Sequence, residues 1–203
     1  MNCVSQIIPA IDGYPLGGAI WTASGTPQGV VVVHPATGVP QRIYQAFARF
    51  LAERGFHAVT YDYRGIGASR PKSLRRFAAR MRDWALLDAD GVTRWARGRY
   101  PDLPQLAVGH SVGGHAIGLC CADWDVAGVV QVASHTGNSR FIRQRRERWR
   151  VALVLRVLGP TMARLIGYVP GKRMGLGEDL PGGVAIEWGR WAGMQRYFFD
   201  DPT

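Results

Sequence analysis

The chain predicts an α/β fold, a mostly parallel sheet flanked by helices and followed by a helical lid-like segment. Three observations lead there. Through the first 139 residues, short β-branched or apolar runs alternate with helix-length stretches, the rhythm of a parallel sheet with crossover helices. Those runs close on turns rich in glycine or proline. Beyond residue 139 the alternation stops and arginine accumulates.

Each element has its own signal. Residues 4–8 and 16–22 read as an antiparallel hairpin at the sheet's edge. Residues 29–34 (GVVVVH) are a strand buried on both faces. Residues 41–54 carry Ile43, Phe47, Phe50 and Leu51 at helical spacing, and Gly55 stops them. Residues 57–63 (HAVTYDY) form the next strand. A helix over 82–97 places Trp84, Leu87, Gly91 and Trp95 on one face. Residues 106–109 are a third short strand, 112–121 a third helix, and 126–134 (VAGVVQVAS) a fourth strand. Two regions follow: a core over 1–139 and a basic cap-like segment over 140–203. The second carries 12 basic against 6 acidic side chains, the first 13 against 9.

Composition excludes several classes. Of the 203 residues, 47% are hydrophobic and 20% charged, which is globular rather than disordered. Three cysteines, two of them adjacent (Cys120 and Cys121), make no disulfide framework and suit a reducing, cytoplasmic setting. The N-terminus lacks the basic and apolar regions of a signal peptide. The apolar stretch 151–169 is broken by Arg156, Gly159, Pro160 and Arg164, so no membrane span is expected. No metal-ligand spacing and no phosphate-binding glycine loop is present, so neither metal nor cofactor is expected.

The chemistry concentrates at GHSVGG, where Gly109, Ser111 and Gly113 satisfy G-x-S-x-G. The string alone is weak. Its setting, with a buried strand entering and a helix leaving, is what a nucleophile elbow requires. Glycines two residues to either side let backbone pass without a Cβ clash, and the helix N-terminus favours developing negative charge. The plain alternative is a glycine-rich turn with a spectator serine. Two further motifs fall in order: His34-Pro35-Ala36-Thr37-Gly38 after the first buried strand, and Asp62-Tyr63-Arg64-Gly65-Ile66-Gly67-Ala68-Ser69 after the second.

These three motifs, in this order, resemble the α/β-hydrolase superfamily, in its lipase and esterase-like or serine-aminopeptidase-like branch. The resemblance implies an α/β-hydrolase core with Ser111 as nucleophile. It implies the Val112 amide as first oxyanion donor, and the amide of Ala36 or Thr37 as second. Asp62 and Arg64 are expected to fix their loop. The implied substrate is a small-molecule ester, thioester or amide, attacked through an acyl-enzyme.

The chain departs from the pattern after Ser111, where the superfamily supplies an acid and then a histidine. Only His115 and His135 follow. His115 lies on the nucleophile helix. His135 ends the fourth strand, near the pocket, as does His34 at the end of the first. Asp123 and Asp125 lie past the far end of the helix. The triad is therefore expected to be incomplete, and the chain to be C-terminally truncated. Loss of the base removes on the order of 10⁶ in turnover. A non-catalytic pseudo-hydrolase that binds an apolar ligand or protein is the alternative.

Arginine runs at 70–82 (six basic residues, no acid) and 140–150 (six arginines, one glutamate) permit an anionic partner. No nucleic-acid-binding signature accompanies them, so they are read as solvated lid faces and no nucleic acid is expected. The fourth strand contains no charge after Val126 to discourage pairing, and self-association through its edge is expected.

Overall fold

The computed structural model describes residues 2–120 and 124–202. The chain divides into two compact units. One comprises residues up to Arg70 together with Arg82–Ser134; the other comprises Pro71–Met81 and the residues from His135 onward. The short basic segment Pro71–Met81, read from sequence as part of the core region, thus belongs to the second unit.

The first unit is built on six strands: β1 (Cys3–Pro9), β2 (Pro15–Trp21), β3 (Gly29–His34), β4 (Phe56–Tyr61), β5 (Gln105–His110) and β6 (Gly128–Val132). Their order is β1-β2-β4-β3-β5-β6. β1 and β2 pair antiparallel at one edge, β2 meets β4 antiparallel, and the remaining contacts are parallel. β3 lies between β4 and β5, and all six of its residues are buried. Strands covered on both faces need no polar alternation, which is why an unbroken valine run suits this place.

Helices make the parallel connections. A 3₁₀ turn (Gln41–Tyr44) and α1 (Gln45–Glu53) join β3 to β4. Between β4 and β5 run α2 (Met81–Asp83), a π-helical turn (Trp84–Ala89) and α3 (Asp90–Arg99). α4 (Val112–Cys120) joins β5 to β6. Cys120 is buried; Cys121 and Asp123, which the sequence reading placed at and beyond this helix, lie outside the described residues. Ile43 of the 3₁₀ turn and Phe47 and Phe50 of α1 do not face the sheet: all three are exposed. Ala48 and Ala52 pack instead against Trp21 and Ala58, with Leu51 alongside. Small side chains let the helix lie close to the sheet, and the tryptophan fills the gap.

β6 ends the sheet on the opposite side: among the described residues it pairs only with β5, and Val129, Val130 and Val132 are each about half exposed, on both faces of the strand.

The second unit is helical. After a 3₁₀ turn (Ser139–Phe141) come α5 (Arg145–Leu153), a π-helical turn (Val154–Leu158) and α6 (Gly159–Ile166). α7 (Gly171–Met174) and α8 (Gly182–Trp191) follow, with β7 (Tyr168–Val169) and β8 (Leu180–Pro181) pairing antiparallel. Ala163, Val169 and Ala185 form its small core.

Candidate active site

Ser111 stands between the last residue of β5 and the first of α4, with φ at +53°. A non-glycine residue in this left-handed region is strained, at a cost of order 1–3 kcal/mol. The glycines explain how the turn closes. A Cβ on Gly109 would lie 2.4 Å from the Gly114 nitrogen, and one on Gly113 would lie 2.2 Å from the His34 carbonyl oxygen. The first contact lets the chain fold back on itself; the second seats the start of α4 against the end of β3. The Ser111 amide donates to the Val132 carbonyl at 2.9 Å, which ties the turn to β6. As the first residue of α4, Val112 has an N–H without an intrahelical acceptor.

The register pairs His34 of β3 with Gly109 of β5, so the turns carrying Ala36 and Ser111 leave adjacent strands side by side. Parallel α/β sheets place their sites at this carboxyl edge. The Ala36 amide is already engaged: it donates to the Tyr44 hydroxyl at 2.8 Å, and that oxygen lies 2.9 Å from His110 Nδ1. Burial raises the Tyr44 phenol above its ordinary pKa, so it is a neutral hydroxyl at physiological pH. Tyr44 and His110 were not singled out from sequence. The position of His110 inside G-x-S-x-G is the signal that could have found it; Tyr44 has none. Thr37 follows in the same turn and is partly exposed.

His34, expected at the pocket, is instead wholly buried. Its Nδ1 lies 2.9 Å from the Tyr61 hydroxyl and its ring stacks on Trp124 at 5.2 Å. Burial pushes its pKa down to about 3. His115 lies one turn into α4, partly buried. His135 is exposed in the second unit, with Nδ1 3.0 Å from the Thr136 carbonyl oxygen, and borders a cavity of about 740 Å³ lined by Val151, Leu155 and Trp188. Within the first unit, a smaller cavity of about 470 Å³ is lined by Gly17, Gln41 and Asp62, and Ser111 is not in its wall. Among the described residues, the Ser111 hydroxyl has no hydrogen-bonded histidine or carboxylate, and no cluster suited to a metal ion is found.

Asp62 and Arg64 are taken up by their loop. Asp62 accepts the amides of Gln41 (2.6 Å) and Ala68 (2.8 Å). Arg64 forks onto Asp12 at 2.8 Å and reaches buried Asp88 with Nε at 2.7 Å.

The sheet order, its crossover helices and the tight strand-to-helix turn define an α/β-hydrolase fold. The chain belongs to the serine aminopeptidase S33 family, whose pattern residues 25–173 match. It is similar in structure to a lidless α/β serine hydrolase from Xanthomonas campestris (19% identity, TM-score 0.56, covering 68% of this chain and 63% of that one). An α/β hydrolase from a Penicillium species is 20% identical, with TM-score 0.62, over 91% of this chain and 72% of that one. A soluble variant of monoglyceride lipase from Saccharomyces cerevisiae is 17% identical, with TM-score 0.58, over 78% and 53%. The chain thus spans between about half and seven tenths of the length of these proteins.

Proposed function

We propose that this chain is a serine hydrolase of the α/β-hydrolase type, acting on a small ester, thioester or amide through an acyl-enzyme at Ser111. The observation that supports it best is the left-handed backbone of Ser111 at the start of α4. In this reading Ser111 Oγ attacks the acyl carbon and forms an ester bond to it. The bond to the leaving group breaks, and the serine proton ends on the departing alcohol, thiol or amine. Water then releases the acid and restores Ser111. The Val112 N–H, at the positive end of α4, supports the developing oxyanion. The second donor comes from the Ala36–Thr37 turn, where Ala36 is available once the Tyr44 hydroxyl moves off its amide.

With no base hydrogen-bonded to it among the described residues, Ser111 is a weak nucleophile near neutral pH. Slow turnover of p-nitrophenyl esters is therefore expected, little above background yet abolished by Ser111→Ala. Equal rates for the two proteins would overturn the reading.

The β6 edge supports a second element of the proposal, self-association through that strand. A second copy adds its own β6, completing the backbone ladder and covering the valines.

A further inference from the structure

We propose that the second unit docks on an anionic lipid bilayer surface through the outward face of α5 and the π-helical turn after it. The inference stands independently of any role for Ser111.

Trp149, Leu153 and Val157 follow one another at four-residue spacing, so they share one side of this continuous helical stretch. They are 69%, 50% and 51% exposed. This is not the side that packs inward: Val151, Val154 and Leu155 line the cavity that Trp188 borders. The stretch therefore has two apolar sides, and folding of the unit uses one of them.

Charge indicates what meets that surface. The segment 140–150 holds six arginines and one glutamate. Arg150 pairs with Glu147 at 2.8 Å. Arg143, Arg145, Arg146 and Arg148 have no carboxylate partner among the described residues, and the first three are exposed. A cationic segment interleaved with a Trp–Leu–Val stripe complements a surface that is anionic outside and apolar beneath, which describes a bilayer containing acidic phospholipid. A nucleic acid would satisfy the arginines, but its phosphate backbone offers Leu153 and Val157 no apolar partner. Tryptophan suits the interfacial zone, where an apolar ring with one polar N–H is best accommodated. Among the described residues no helix is long and apolar enough to cross a membrane, so the mode is lying on the surface.

The test is co-sedimentation of the full chain with vesicles of phosphatidylcholine alone, and of phosphatidylcholine with phosphatidylglycerol. Binding to the anionic vesicles is expected to exceed binding to the neutral ones at least tenfold and to weaken with salt. Arg145→Gln with Arg146→Gln should weaken it about 25-fold, at about fivefold per arginine. Trp149→Ser should weaken it severalfold. Arg49→Gln with Arg99→Gln, two exposed arginines of the first unit, should leave it unchanged. Circular dichroism checks that each variant is folded, and the salt dependence of the unaltered protein tests the charge requirement without any substitution. No binding to anionic vesicles overturns the proposal. So does equal loss from the two arginine pairs, indifference to Trp149→Ser, or capture by polyuridylate in preference to vesicles.

Discussion

The Tyr44 hydroxyl lies 2.9 Å from Nδ1 of His110, the residue before Ser111, while accepting the Ala36 N–H at 2.8 Å. One phenol thus holds together the two turns at the ends of β3 and β5. Tyr44→Phe removes both hydrogen bonds, and a loss of about 1–2 kcal/mol in stability is expected from urea unfolding. The same change frees the Ala36 amide, so phosphonylation of Ser111 should become severalfold faster. A slower reaction would show that the hydroxyl itself serves the oxyanion.

The close approach of α4 to β3 depends on Gly113. A Cβ there meets the His34 carbonyl oxygen at 2.2 Å, a backbone atom that no rotamer change can move. Gly113→Ala should cost about 3 kcal/mol in denaturant unfolding. Gly118→Ala, on the same helix with nothing within 4 Å of its added methyl, should be neutral or slightly stabilising.

His34 gives the fold a pH dependence. Its unfolded imidazole titrates near about 6.5, whereas burial holds the folded one at about 3. Between these values the unfolded chain binds more protons, so stability falls as pH drops from about 6.5 toward about 3. At about pH 5 the His34 contribution should have fallen by about 2 kcal/mol. His34→Gln should flatten that part of a urea-midpoint profile. An unchanged profile would place the sensitivity in another group.

The course of β3 could be read directly because an uninterrupted valine run leaves few alternatives, and the turn at Ser111 was legible from glycine spacing set between a buried strand and a helix. The orientation of α1 was not. Helical spacing says that Ile43, Phe47 and Phe50 share a side, not which way that side points, and the packing falls to Ala48 and Ala52. The Tyr44–His110 contact joins residues 66 apart in sequence, and no local pattern encodes it. His34 was legible as the end of a strand, but its burial follows from Tyr61 and Trp124, which close over it from distant parts of the chain.

The β6 edge should govern self-association. Sedimentation velocity is expected to show a concentration-dependent dimer that Val130→Lys reduces, because a charge on an exposed strand opposes edge-to-edge pairing. A dimer of equal strength in that variant would place the contact on another surface.

The nucleophilicity of Ser111 is read directly from the intact mass of the protein after incubation with a fluorophosphonate. One phosphonyl adduct per chain, mapped to Ser111 by peptide sequencing and absent from Ser111→Ala, is the result expected. A folded protein that gains no mass, or gains it equally after Ser111→Ala, would contradict a nucleophilic Ser111.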